Sequence, residues 1–318
     1  MKTRTLRIVE YIRYSIWGAI FISLFILVVF RIINHFVGQV EVTWIKALLS
    51  AIPVLGTGII LWVFSDRYNL FSERTGWVVV MYVWLMAMFP QTYAEWEAAI
   101  SALFIAAALL KMAASINEPA SRSHFFLGGF FITCAGLLFR PAFFLNIPLV
   151  FGFLFMAEVS VKNILAYLGG VVAPLLLLFS GLWFVGVDTG GYVNKAFAEL
   201  TSWNPSFGFK TSSYLQLIAL LVMGALLLFS LIIRLIRRES TTTLCISRFY
   251  IVMFCLLVFS GALLIFYPHY VNGFLAHFMI PVTFFITSMF TEKRLFGARI
   301  WVALFVLSSF VHQILRIC

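Results

Sequence analysis

The side chains able to do chemistry in this sequence are few, and they stand beside long apolar runs. Arg140 lies in Leu-Leu-Phe-Arg-Pro-Ala-Phe-Phe-Leu. Pro141 removes a backbone donor there and interrupts any helix. A guanidinium at such a break offers a planar fork of donors that fits a phosphate. Two carboxylates are candidate bases: Glu41, in Gly-Gln-Val-Glu-Val-Thr-Trp, and Glu95, which with Glu97 flanks Trp96. Arg31 and His35 are four residues apart and so share a helix face. An arginine within an apolar span is costly and marks a functional candidate. The segment Tyr267-Pro268-His269-Tyr270-Val271-Asn272, with His277 beyond it, gathers aromatics and imidazoles at one junction, where they are expected at the membrane interface. Trp203 sits with Asn204-Pro205 in the longest polar stretch, Asp188 to Ser212. The expected catalytic residues are therefore Glu41 and Glu95. The expected substrate-binding set is Arg140, Arg31, His35, His269, His277 and Trp203.

Other chemistries are not written in the chain. It has no Walker A sequence, dinucleotide fingerprint, H-E-x-x-H or G-x-S-x-G. Cys134, Cys245, Cys255 and Cys318 form no C-x-x-C pair, so neither a disulfide framework nor a metal site is expected. No residue pattern names a cofactor.

The elements that must position these residues follow from composition. Of the 318 residues, 63% are hydrophobic and 11% charged, with a mean hydropathy of +1.05. Soluble domains carry about 25% charged residues. A soluble fold of this length cannot hide so much apolar surface, so the surplus must face lipid. The runs are continuously apolar rather than alternating, which points to helices and not a barrel. The expected fold is all-α, a single bundle of about eleven transmembrane helices. The spans read as 15–36, 46–64, 76–91, 97–115, 124–140, 142–158, 163–187, 213–235, 249–267, 272–291 and 297–315. The fifth and sixth form a tight hairpin turning at Arg140-Pro141. The Gly128-Gly129, Gly169-Gly170 and Ser180-Gly181 pairs are expected to let helices pack closely.

With the N-terminus inside, 16 of the 22 basic residues fall in inner segments, which predicts an N-in, C-out topology. The net charge of +10 then reflects cytoplasmic loops, and nucleic acid is not an expected partner. Arg140, Glu41, Glu95 and the 188–212 loop all come to the outer face.

The stretch Arg74 to Val187, about a third of the chain, carries Ala-Met-Phe-Pro-Gln, then Ala-Leu-Phe-Ile-Ala-Ala-Ala-Leu-Leu-Lys. Gly-Gly-Phe-Phe-Ile-Thr-Cys-Ala-Gly-Leu-Leu-Phe-Arg-Pro-Ala-Phe-Phe-Leu and Asn-Ile-Leu-Ala-Tyr-Leu-Gly-Gly-Val-Val-Ala-Pro follow in order. It resembles a family of uncharacterised polytopic inner-membrane proteins of Bacteroidota. It also looks distantly like membrane glycosyltransferases that use lipid-linked sugars, in which an Arg-Pro step opens a hairpin after a small-residue span. The chain departs from those enzymes in lacking an acidic pair in its first outer loop and a large outer domain. The resemblance implies a multi-pass inner-membrane protein of cell-envelope assembly. Its partners would be membrane lipid and a polyprenyl-phosphate-linked sugar, with Arg140 on the phosphate, Glu41 or Glu95 as base and the 188–212 loop as cover. Two other readings stand beside it. One is a membrane scaffold or anchor subunit whose small-residue faces hold a membrane protein partner. The other is a secondary transporter or flippase with Arg31 and His277 lining a path.

Overall fold

The computed structural model describes residues 15–37, 44–71, 75–89, 95–117, 122–156, 160–201 and 244–291, with a few positions in 224–228 and 304–311. Every regular element among the described residues is helical. In chain order they are α1 (Ile16–Val37), α2 (Trp44–Arg67), α3 (Trp77–Ala87), α4 (Trp96–Asn117), α5 (Arg122–Leu138), a 3-10 turn (Arg140–Leu145), α6 (Asn146–Met156), α7 (Val161–Val185), α8 (Thr189–Thr201), α9 (Leu244–Phe266), a second 3-10 turn (Pro268–Tyr270) and α10 (Val271–Thr291). Among the described residues five stretches, Leu48–Arg67, Trp96–Ile116, Val161–Val185, Ile246–Phe266 and Val271–Ser288, are long and apolar enough to cross a membrane. This is the make-up of a membrane protein. The expected spans 213–235 and 297–315 lie almost wholly outside the described residues.

The chain forms two compact units. The first comprises Met1–Ala94, Phe209–Thr242 and Met279–Cys318. Within it α1 and α2 both pack on α3. Val78, Val79, Tyr82 and Val83 are each fully buried, so α3 is apolar nearly all round, as an enclosed helix must be. Phe64 meets Phe284 edge to face at 5.7 Å, and Phe30 meets Trp84 at 5.5 Å. The third span differs from its expected length. The α-helix covers 11 residues, about 16 Å at 1.5 Å per residue, and alone falls short of a bilayer core of about 30 Å.

The second unit comprises Glu95–Gly208 and Thr243–Phe278 and holds most of the residues of interest. Its centre is the stack α4–α5–α7, with α6 packed on α9. Glycine is what lets α5 and α7 touch. A Cβ on Gly129 would strike the Tyr167 carbonyl, and one on Gly170 would strike the Phe126 carbonyl. Backbone therefore lies on backbone, the close approach that small residues permit in membranes. Gly128 abuts the Phe153 ring, whereas a Cβ on Gly181 would meet nothing within 4 Å among the described residues.

Within the 188–212 stretch, the described residues 188–201 depart from their reading as a loop, and 202–212 lie outside the described residues. Thr189–Thr201 is a regular helix, α8. Asp188 accepts a hydrogen bond from the Gly190 amide at 3.0 Å and so satisfies one orphan donor at the helix start. Lys195, Ala196, Ala198, Glu199 and Leu200 are good helix formers and outweigh the Gly190-Gly191 pair, which lies in the first turn.

Candidate functional site

The Arg-Pro step does break the helix. α5 ends at Leu138, Phe139 is extended (φ −125°, ψ 93°), and Pro141 occupies the start of the 3-10 turn. This places Arg140 at the end of the α5–α6 hairpin with its side chain partly exposed. The guanidinium ion-pairs with Glu199 and lies 5.2 Å from the centre of the Tyr192 ring. Tyr192 and Glu199 are seven residues apart on α8, two turns along one face, so a helix is required to present both to one arginine. The Tyr267 hydroxyl donates to the Leu200 carbonyl at 2.5 Å and pins the end of α8 to the α9–α10 junction.

Glu95 comes to the same junction from the start of α4. Asn272 hydrogen-bonds its carboxyl, and Oε2 lies against Gly273. The Phe139 ring lies against the same glycine, so Gly273 is the point where the Arg140 turn and Glu95 meet. Tyr270 reports the convergence electrostatically. Burial raises its phenol above the usual range, the charges of Glu199 and Glu95 add to this, and Arg140 opposes it. Phe139 also meets Tyr270 edge to face at 5.9 Å.

Burial pushes the Glu95 carboxyl up to about 7; the Asn272 hydrogen bond opposes this and the nearby charge of Glu97 adds to it. A carboxyl poised near neutral pH can give or take a proton under working conditions. The shift also makes stability depend on pH. Between about 4.5, its ordinary value, and about 7, the folded protein holds a proton that the unfolded chain has released. Stability is therefore highest below that window and falls as pH rises through it. The melting temperature of the purified protein is expected to drop by a few degrees from pH 5 to pH 8. The Glu95→Gln variant is expected to show a flatter profile, read by thermal unfolding across that range.

Beneath this cluster lies a sealed polar contact. His277 is 1% exposed and Ser101 fully buried. His277 Nδ1 lies 3.0 Å from the Gly273 carbonyl, and Nε2 lies 2.9 Å from Ser101 Oγ. A carbonyl only accepts, so Nδ1 carries the proton in the neutral ring. The Ser101 hydroxyl then has one proton for two acceptors, Nε2 and the Ala135 carbonyl at 3.0 Å. Ser260 and Thr283, also buried, bond within their own helices, to Leu256 at 2.6 Å and Met279 at 2.7 Å. Ser101 instead ties α4 to α5 and α10. The imidazole stacks on Phe139 with ring centres 5.5 Å apart, so this contact supports the residue before Arg140.

No family model, curated protein or solved structure matches the chain. Its functional reading therefore rests on its own residues. Of the residues expected from sequence, Arg140, Glu95 and His277 belong to one cluster. His269 is exposed beside Tyr270. His277 differs from expectation: it is enclosed in the protein interior rather than placed at the interface, because α10 turns it inward onto Phe139 and Ser101. Arg31 is partly buried on α1 of the first unit, and His35 lies on the same helix. Glu41 and Trp203 lie outside the described residues. Among those residues, no group of three His, Cys, Asp or Glu side chains is placed to hold a metal ion. Tyr192, Glu199, Asn272 and Gly273 enter the site only through the structure. Tyr192 and Glu199 carry a usable signal, their seven-residue spacing, once the segment is read as a helix.

Proposed function

We propose that this chain is a multi-pass protein of the cell inner membrane, with eleven spans, N-terminus inside and C-terminus outside. In this reading it handles a lipid-linked saccharide at the outer face during cell-envelope assembly. The observation that carries it is that Arg140 and Glu95 both bring their charges to bear on Tyr270, with Phe139, the residue before Arg140, and Glu95 Oε2 both against Gly273. One group suits a phosphate, and the other suits proton transfer near neutral pH.

The chemistry is transfer of a glycosyl group from a polyprenyl phosphate. Ionised Glu95 takes the proton of an acceptor hydroxyl as that oxygen bonds to the anomeric carbon. The bond from that carbon to the phosphate oxygen breaks, and the charge on the departing phosphate is held by Arg140. Glu95 fills the role of base that the sequence assigned to Glu41 or Glu95. A transporter path lined by His277 draws less support, since both ring nitrogens are spent on protein partners in a sealed core.

The test is made in cells. Arg140→Ala and Glu95→Gln are expected to deplete one envelope glycan at normal protein levels. Loss of a positioned proton-transfer group lowers rates by about 100-fold or more. Arg140→Lys keeps the charge but loses the fork, and a partial defect is expected. Unchanged glycans in both variants, with protein present in the membrane, would overturn the proposal.

A further inference from the structure

The Arg140–Glu199 pair has a consequence for how a ligand reaches Arg140. The guanidinium is the site's phosphate-binding group, yet a carboxylate of the same chain already sits on it. That carboxylate is carried by α8, a helix with no buried residue. Tyr192 under the guanidinium and Leu200 under the Tyr267 hydroxyl also hold it to the Arg140 turn and the α9–α10 junction. At the other end, α8 joins α7 through Gly186, which has φ +76° and around which a Cβ would meet nothing within 4 Å among the described residues. Few residues other than glycine adopt that conformation freely; here it ends α7, with the Gly186 and Val187 amides donating to the Trp183 and Leu182 carbonyls. An exposed helix is thus joined to α7 by a short turn at Gly186 and held on the site in part by an ion pair with both side chains partly open to solvent. Pairs of that exposure are weak and exchange readily.

We infer that α8 is a latch over the Arg140 site, with Glu199 holding the place of an incoming phosphate ester. This rests on the reading of Arg140 as a phosphate-binding residue. A phosphate oxyanion presents the same acceptor geometry as a carboxylate and carries more charge, so it displaces Glu199 from the fork. Once the pair is broken, α8 keeps the Tyr192 contact and the Tyr267–Leu200 hydrogen bond but loses its ion-pair hold on the hairpin, so it opens more often and exposes the face of the site toward Tyr270 and Glu95. Without ligand the pair reforms and the site closes. The latch discriminates as well as closes: a neutral saccharide cannot compete with Glu199, whereas one attached to a phosphate can.

The full chain in phosphatidylcholine nanodiscs provides the test, with hydrogen exchange of residues 189–201 as the readout. Three conditions are compared: no addition, inorganic phosphate, and undecaprenyl phosphate. In the unaltered protein, undecaprenyl phosphate is expected to raise α8 exchange about fivefold. A rise with inorganic phosphate as well means the head group suffices; a rise with the lipid alone means the chain contributes. Glu199→Gln is expected to raise exchange to that level with no ligand present. Arg140→Ala is expected to do the same and to respond to neither addition. Asn194→Ala, exposed on another face of α8, keeps the closed level until ligand is added. Arg140-dependent lipid binding with α8 exchange unchanged, and unchanged also in Glu199→Gln, overturns the latch and leaves the phosphate reading standing. Absence of Arg140-dependent binding overturns both.

Discussion

Replacing Gly273 by valine is expected to destabilise the second unit by on the order of 3 kcal/mol, near the upper end of overpacking costs. An ideal Cβ at Gly273 would lie 2.5 Å from two atoms of the Phe139 ring and 2.6 Å from Glu95 Oε2. Real Cβ atoms do not approach so closely, so both neighbours must shift and give up contacts they now make. Phe139 is held by the His277 ring at 5.5 Å and by Phe274 at 5.3 Å, and the Glu95 carboxyl is bonded by Asn272. Alanine at the same position is expected to cost less, about 2 kcal/mol, since helix propensity returns part of the loss. Gly181→Ala is the control. A Cβ there would meet nothing within 4 Å, so the substitution is expected to be neutral or stabilising by up to about 1 kcal/mol. Thermal unfolding of the three detergent-purified variants measures the series. Equal melting temperatures for Gly273→Val and Gly181→Ala would contradict the packing described here.

Removing the His277 ring is the second large effect. His277→Ala deletes a buried ring stacked on Phe139, and truncating a buried aromatic costs about 3–5 kcal/mol. His277→Phe separates packing from polarity. It keeps a ring against Phe139 but makes no hydrogen bond. Ser101 can still donate to the Ala135 carbonyl at 3.0 Å, so no hydroxyl is stranded. The expected cost is therefore about 1 kcal/mol, the net worth of an ordinary hydrogen bond. The ranking His277→Ala far below His277→Phe, with His277→Phe slightly below the unaltered protein, is the expected result by thermal unfolding. A His277→Phe variant as damaged as His277→Ala would mean that polarity, not ring packing, holds Phe139 in place.

Both effects act on the same small region, and both concern residues whose meaning differs between sequence and structure. Gly273 is an unremarked glycine beside an aromatic run, and His277 reads as an interfacial imidazole. Each becomes important because three distant segments, at α4, the Arg140 turn and α10, close around it. Ser101 and His277 are 176 residues apart, and no local pattern relates them.

The sequence by itself determined the class of protein. Its apolar runs place helices where α1, α2, α4, α7, α9 and α10 lie, because hydropathy and helix propensity add up locally along the chain. It also located the break at Arg140-Pro141, because proline acts on its own backbone whatever surrounds it. It misjudged 189–201, read as part of a loop although the residues after Gly190-Gly191 favour a helix. Tertiary structure alone decided which charges meet. Arg140 and Glu199 pair, Glu95 is desolvated against Gly273, and His277 turns inward. Charge partnering and desolvation depend on distance in space, which a linear pattern does not encode. Arg140 was thus visible from the start as a phosphate-binding candidate, and only the fold supplied the carboxylate that already occupies it.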